Sequence, residues 1–523
     1  MKTTTTARAE QLPVHAMKST YDVIVVGAGG SGLAAAYSAT ERGARVLVLE
    51  KQPQPGGTTG IAVGSFTSSG TSLQKAAGVE DDPETHASDA GKFPPPEIEG
   101  RNSEPMRAFF LREAATTFEW LRGLGLSFVG PSPEPPNQQP RMHNVVPGAK
   151  AYIATFQIAL ARKGASLLCN ASVESLLRDG DRVVGVSVNV DGELSEYRAT
   201  RGVILAAGDY ASNAEMIAAH KGEQYRKIDG INPFACGDGQ RLASDVGAKM
   251  INMDVTYGPE LRFVPSSSKP FQQWLPASGP IAKLMGFVAP LLPTRIMRAM
   301  IKRLLVTWQH PENSLFDDGA ILLNRNGERF VNETSCPDRE IALAAQPGKI
   351  GYILLDDRLI DRYSAWPNFI STAPDIAYAY VADYQRLRPD VTRAGPTRED
   401  VARAAGIDSA TVAETVRSFN KYVDGKCEDA FGRTNDQCRL ADGRCVLLGP
   451  VKAYFTTTEG GAVVTERMEV LDEAGSVIPG LYAVGQNGLS GMILWSHGLH
   501  IAWAMTSGRL AGAAAMHGAQ PVE

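Results

Sequence analysis

The sequence predicts an α/β fold built around a Rossmann-like domain, and three observations carry that prediction. The first is the stretch "YDVIVVGAGGSGLAAAYSATERGARVLVLEK", where an apolar β-branched run, a GxGxxG turn, an Ala-rich helix and a second apolar strand ending at Glu50 follow in order. The second is the recurrence of short apolar runs such as "RVVGVSVNV" and "GVILAAG", which read as buried strands. The third is a change of pattern in the middle of the chain, where "REDVARAAG" and "SATVAETVRSFNKYV" carry helical periodicity.

Each part of the opening motif has its own physical reason. Gly27 permits the tight turn, Gly29 lets backbone N–H groups reach a pyrophosphate at the helix N-terminus, and Gly32 allows close helix–strand packing. Gly30 and Ser31 open that helix, and Glu50, followed by Lys51, stands where a ribose offers its two hydroxyls. Directly afterwards "PGGTTGIAVGS" supplies a second Gly-Thr-rich loop where an NAD-only domain would continue into another helix. This favours FAD, with Gly57, Thr58, Thr59, Gly60, Val63 and Gly64 in that loop as binding residues.

Composition bounds the alternatives. At 523 residues the chain exceeds the roughly 250 to 300 at which single cores stop growing, so two domains are expected. A net charge of −5 with no concentrated basic face argues against nucleic acid. The six cysteines form no CxxC pair, and Cys427, Cys438 and Cys445 have no histidine near them, so no metal site is expected. That usage suggests a reducing compartment, the cytoplasm. Residues 1–17 lack an apolar signal core and a twin arginine and read as a disordered leader. Residues 91–105 and 130–141 are Pro-rich and read as surface loops.

The segment from Ile281 to Trp308 is apolar but carries Lys283, Arg295, Arg298, Lys302 and Arg303, and Pro290 and Pro293 interrupt it. It is too broken to span a bilayer. Two readings follow: amphipathic helices covering a substrate entrance, or an interfacial surface making peripheral contact with lipid. We take the first, because a buried helical layer is the commoner use of such periodicity.

With "GVILAAGDYASNAEM", "CGDGQRLASDVGA", "ILLNRNGERFVNE" and "GGAVVTERMEVLDEAGSVIPGLYAVGQ" following in order, the chain resembles the fumarate reductase and 3-ketosteroid dehydrogenase flavoproteins from about Tyr21 to Ala513. The resemblance implies an FAD domain in two parts, residues 18–248 and 446–523, with an α+β cap over the substrate at 249–445. It adds Ala207, Gly208, Asp238, Gly485, Gln486 and Ile501 to the cofactor-binding residues. The histidine that some relatives place after the GG motif is absent, which implies noncovalent FAD. Members pass a hydride between flavin and a carbon–carbon bond next to a carbonyl, with hydrogen-bond donors on the carbonyl oxygen and a group that moves the second proton.

Fumarate reductases hold a dicarboxylate with arginines and histidines. Counting from the motifs, those positions fall here at Pro337, Thr457 and Ser496, and the nearest arginines in sequence are Arg262 and Arg339. Ketosteroid dehydrogenases align without a gap at "GLHIAWAMTSG", so Gly498 matches the glycine whose N–H contacts the ketone. Their tyrosines fall at Leu494 and Pro337. Replacements are sought among His497, His500, Tyr257 and Cys336, with Trp495 and Leu494 lining an apolar pocket. The expectation is therefore an FAD-dependent dehydrogenase that introduces a double bond α,β to the carbonyl of an apolar, cyclic or steroid-like ketone. Its electrons would pass to a diffusible acceptor: oxygen, a quinone or a carrier. The alternative is an ene-reductase, and a third reading is a flavoprotein that only relays electrons.

Overall fold

The computed structural model describes residues 19–266, 275–373, 376–434 and 439–517. The expected leader lies outside the described residues, as does Cys438. The α/β fold class predicted from the sequence is present, and it is built on two sheets.

The first sheet runs Glu469–Leu471, Val477–Ala483, Glu193–Leu205, Thr20–Val26, Val46–Glu50, Ser166–Cys169. Its central strands are parallel, with Val26 opposite Leu205 and Val25 opposite Val48, and the late strand Val477–Ala483 joins through Leu481 opposite Val203. Parallel strands covered on both faces must be apolar throughout, and every residue of Val46–Glu50 is buried. A hairpin of Ala171–Asp179 and Arg182–Val190 extends the sheet antiparallel to Glu193–Leu205.

Two helices lie against each other over this sheet, Gly30–Glu41 from its first turn and Leu499–His517 from the end of the chain. Gly508 and Gly512 let them touch: a Cβ at Gly508 would stand 2.4 Å from the Ser31 carbonyl oxygen, and one at Gly512 2.2 Å from that of Ala35. Backbone-to-backbone approach of this kind excludes any side chain. It also fixes where the N-terminus of the late helix, and the loop before it, must sit.

The second sheet is centred on Cys445–Phe455, which pairs with Asp229–Gly230, Glu260–Phe263, Gly351–Leu355 and Thr392–Gly395, with Ile321–Asn324 beyond. Leu322, Ile353, Leu447 and Phe419 are buried in a core of their own. Val446, Leu447, Leu448 and Val451, just past the expected boundary at residue 446, pack in this second core. The cause is the register: the strand's apolar face meets Gly351–Leu355 across its whole first half.

Ile281 to Trp308 folds as two helices, Gly279–Val288 and Thr294–Trp308, separated by the proline-containing turn Ala289–Leu291. Ala282 and Gly286 turn inward and are buried, and a Cβ at Gly286 would stand 2.3 Å from the Ser127 hydroxyl. In the first helix Ile281, Leu284 and Phe287 face out, whereas in the second Leu305 and Val306 are buried in the second core, so only the second helix supplies the expected buried layer. Among the described residues no helix is long and apolar enough to cross a membrane.

The Pro-rich stretch at 130–141 also departs from a plain surface loop. Arg141, with no exposed surface, bridges Asp81 at 2.7 Å and Asp89 at 2.5 Å. Gln138 donates its backbone and side-chain N–H groups to Asp89, each at 2.9 Å. Burial alone would raise the Asp89 carboxyl, but the bonds from Lys92, Gln138 and Arg141 hold it well below the usual carboxylate range. The loop is thereby pinned, and Glu134 at its turn points inward, 5% exposed.

Candidate active site

A cavity of about 1,030 Å³ runs from the first strand's end to the loop before the late helix. At one end the glycines of the opening motif shape it. Gly27 has φ +105°, a conformation L side chains rarely adopt, and its Cβ would lie 2.4 Å from the Ala206 carbonyl oxygen. Gly32 does not line the cavity; its Cβ would be 2.0 Å from the Gly27 carbonyl oxygen, so it serves helix packing. Gly29 differs from both, since a Cβ there would face the lumen, with only the Gly57 Cα at 3.9 Å. The helix Gly30–Glu41 starts at that point with no side-chain cap on its N–H groups. A twelve-residue helix N-terminus open to a cavity suits an anion.

Glu50 stands at the end of its strand, accepting hydrogen bonds from Ala28 N–H at 2.8 Å and Gln52 N–H at 2.9 Å. Lys51 pairs with Asp238 at 2.5 Å across the same rim. Thr58, beside Gly57, Thr59 and Gly60 in the helical turn Gly57–Ile61, accepts a hydrogen bond from Asn232 Nδ2 at 2.9 Å. Asn487 ties two walls together: its Oδ1 accepts from Ala207 N–H at 2.6 Å and its Nδ2 donates to the Gly208 carbonyl at 2.8 Å. Gly485 is fixed in turn by Ser507, which accepts its N–H at 2.9 Å, and by Trp503, whose Nε1–H reaches its carbonyl at 3.0 Å. Nothing lies within 4 Å of a Cβ built at Gly56 or Gly208. An open channel with an anion-binding helix start, a carboxylate at the strand end and glycine walls fits FAD, and the chain binds FAD. Val63, Gly64, Gln486 and Ile501 line its continuation towards the other end.

That other end is made by Trp495, His497, Gly498 and His500, with Tyr257 and Arg262 opposite. The Tyr257 and Trp495 rings lie 5.0 Å apart, tilted by 42°, and form an apolar wall. His497 lies deep in the protein, yet 53% of its side-chain surface is reachable from the lumen. Its Nδ1 meets Glu134 Oε1 at 2.6 Å, and its backbone N–H donates to the same oxygen at 2.8 Å. Ser496 donates to Glu134 Oε2 at 2.9 Å. Burial pulls the His497 imidazole down, but the Glu134 bond and charge, with Glu260 beyond, outweigh it and hold the ring above its ordinary value.

Glu260 and Arg262 form the opposite pair at 2.9 Å, and Arg262 also donates to Thr456 at 3.1 Å. Burial, followed by the charge of Glu260, keeps the Tyr257 hydroxyl protonated well above its usual range. Nearer the cofactor channel, His500 Nε2 lies 3.0 Å from Glu459 Oε1, and Glu459 is fully buried with its Oε2 lacking a protein partner. Asp209, buried beside them, is pushed up to about 6 by desolvation, partly offset by the Ala211 N–H.

Three sequence-derived placements change. Leu494 has no exposed surface, belongs to the first core and does not line the pocket. Cys336 lies on the surface outside the cavity, ahead of the helix Asp338–Ala344, whose Arg339 turns to Glu340 at 2.5 Å. Gly498 lines the cavity, but the space a side chain would take is filled by Thr67 Oγ1 at 2.7 Å and the Ser65 backbone at 3.0 Å, and φ is +89°. Packing on the strand Ser65–Thr67 therefore demands this glycine, whatever approaches from the lumen.

Four residues of the site escaped sequence reasoning. Glu134 contacts His497 across 363 positions, and its only local signal is a single acid framed by prolines. Asp209 lies in "GVILAAGDYASNAEM", and Glu459 and Asn487 flank "GGAVVTERMEVLDEAGSVIPGLYAVGQ", where spacing fixes the backbone but not which side chain faces inward.

The chain matches the family model described as FAD binding domain over residues 22–267 and 277–497. Among curated relatives, the probable fumarate reductase Ifc3 of Shewanella frigidimarina is 27% identical over 475 residues, spanning 89% of this chain and 70% of the relative. The vinyl phenol reductase of Lactiplantibacillus plantarum is 25% identical over 526 residues, spanning 95% and 96%. Among solved structures, the open conformation of a flavocytochrome c3 fumarate reductase superposes with TM-score 0.70 at 25% identity, covering 96% of this chain and 79% of that one. A 3-ketosteroid delta1-dehydrogenase from Sterolibacterium denitrificans shares the fold, with TM-score 0.62 at 19% identity and coverage of 96% and 100%.

Proposed function

The chain belongs to the FAD binding domain family and is an FAD-dependent oxidoreductase acting on carbon–carbon double bonds, and from that premise we propose that it reduces a double bond conjugated to the carbonyl of an uncharged, largely apolar substrate. One observation carries the substrate class. At the Trp495 end the three basic residues lining the cavity already face carboxylates, Arg262 against Glu260, His497 against Glu134 and His500 against Glu459. A dicarboxylate leaving water needs cations that are not already matched. A single carbonyl oxygen needs only hydrogen-bond donors, and His497 with the Gly498 N–H supplies them.

Bound FAD supplies the hydride exchange with the substrate carbon. The chain's own residues do the rest. Trp495 and Tyr257 exclude water from the reacting bond. Glu134 takes the His497 Nδ1 proton's hydrogen bond and leaves Nε2 as the nitrogen turned to the lumen, where it polarises the carbonyl and carries the second proton. His500 and Glu459 border the channel between these groups and the cofactor.

The reductive direction rests on the relatives, which are named as reductases. The ungapped match at Gly498 favours a second reading, the dehydrogenase of a cyclic ketone expected from the sequence. We assign FAD binding to residues 18–248 and to the part after Phe455, and substrate cover to the cap between them. The electron partner is a diffusible molecule, oxygen, a quinone or a carrier, and the reaction is placed in the cytoplasm.

Anaerobic mixing with a substrate panel tests this, following the flavin absorbance. Chemically reduced protein should be reoxidised by a neutral cyclic enone and much more slowly by fumarate. Faster reoxidation by fumarate overturns the substrate class. Bleaching of oxidised protein by a saturated cyclic ketone, without reoxidation by enones, selects the dehydrogenase reading.

A further inference from the structure

We propose that the helix pair 279–308 is a docking surface for an anionic lipid bilayer. The first helix is mounted with its apolar face outward. Ala282 and Gly286, four residues apart, turn to the protein, and Gly286 packs on Ser127. Ile281, Leu284, Phe287, Val288 and Leu291 fall on the other side, with Phe287 73% and Leu291 71% exposed. A single exposed apolar side chain is ordinary, but five within one helix and the turn after it form a patch that water disfavours.

Charge identifies the occupant. Residues 279–308 contain five basic residues and no acidic one, a charge of +5 within a chain whose total is −5. Lys283 is exposed on the first helix and Arg295 and Arg303 are exposed on the second, while Lys302 is held by Asp383 at 2.8 Å. Apolar side chains ringed by cations are what a helix lying in a lipid headgroup layer presents: the side chains enter the acyl boundary and the cations meet phosphate. The chain just before and just after the helix pair also borders the cavity, since Ala277 and Gln309 both line it. This proposal does not depend on the substrate reading above.

Co-sedimentation of the FAD-loaded protein with vesicles tests it. Vesicles of phosphatidylcholine with phosphatidylglycerol should pellet the protein at low salt, and phosphatidylcholine alone should pellet much less. Removing Lys283 and Arg295 together (K283Q/R295Q) should weaken partitioning by about 25-fold, at about fivefold for each basic residue near the surface. Leu284→Ser with Phe287→Ser and Leu291→Ser should abolish it, with flavin absorbance retained as the sign of intact folding. Protein that stays in the supernatant with both vesicle types overturns the proposal, as does a dimer that the triple variant converts to monomer. Partitioning unaffected by either variant overturns it as well.

Discussion

At His497 two effects oppose each other: burial disfavours the imidazolium, and Glu134 at 2.6 Å favours it. The second prevails, so the ring keeps its proton to higher pH than a free histidine. If it serves as the acid in reduction, the rate falls as pH rises through that elevated pKa. Glu134→Gln should therefore move the falling limb of the kcat/KM profile to lower pH, because the charge that raises the pKa is gone while a hydrogen-bond partner remains. His497→Ala should slow flavin reoxidation by about a hundredfold or more, the 3–4 kcal/mol typical of one lost donor on a developing oxyanion, with FAD content unchanged. Stopped-flow flavin absorbance across pH reads both. A profile unmoved in Glu134→Gln, or wild-type rates in His497→Ala, would make the pair structural. Direction is what residue counting could not supply here. Gly27, Gly29 and Gly32 announce themselves because the glycine spacing of a strand–turn–helix is a local pattern held within six residues. Leu494 comes from counting along a motif and Cys336 from the segment it stands in, and neither says that one side chain enters the core and the other faces solvent.

Among elements, the opening strand–turn–helix–strand was legible because its pattern is local, and so was the break at Pro290 and Pro293 between the two basic helices. The segment 130–141 was not, since proline content reports backbone stiffness and says nothing of what pins the loop. The pin is the Asp81–Arg141–Asp89 cluster, with all three side chains fully buried. Removing the arginine leaves two buried carboxylates facing each other without their cation. Arg141→Met should cost about 3–5 kcal/mol, the range for breaking a buried ion pair from one side. Chemical denaturation of the FAD-loaded protein measures it. Since the same loop carries Glu134 to His497, the variant should also lower the pH of the falling limb, in the manner of Glu134→Gln. An unchanged unfolding midpoint would mean that the cluster is dispensable and that something else holds the loop.

At the scale of the whole molecule, the cofactor channel is assembled from pieces far apart in the chain: the turn after Val26, the loop from Glu50 to Gly64, Ala207 with Gly208, and Gly485 with Gln486. No one of these segments makes the channel alone, so FAD binds only after they have come together. Ligand that binds the folded state but not the unfolded one stabilises by mass action, about 2.7 kcal/mol at a hundred times Kd. Protein stripped of FAD should therefore melt several degrees below the loaded form, and the loaded form's Tm should rise with added FAD. Gly29→Leu isolates the reason. Its backbone, at φ −77°, accepts a side chain without strain, and nothing but the Gly57 Cα at 3.9 Å stands near the new Cβ. The leucine can only occupy the space beside the helix N-terminus, where the pyrophosphate of FAD would rest. The variant should melt like stripped wild type and should not respond to added FAD, while its far-ultraviolet circular dichroism stays native. Flavin should also leave the denatured wild-type chain freely, because no histidine stands in "GGTTGIAVGS" to bond it. Should Gly29→Leu retain FAD and its thermal response, the pyrophosphate does not rest on this turn, and the N-terminus of Gly30–Glu41 loses its part in binding.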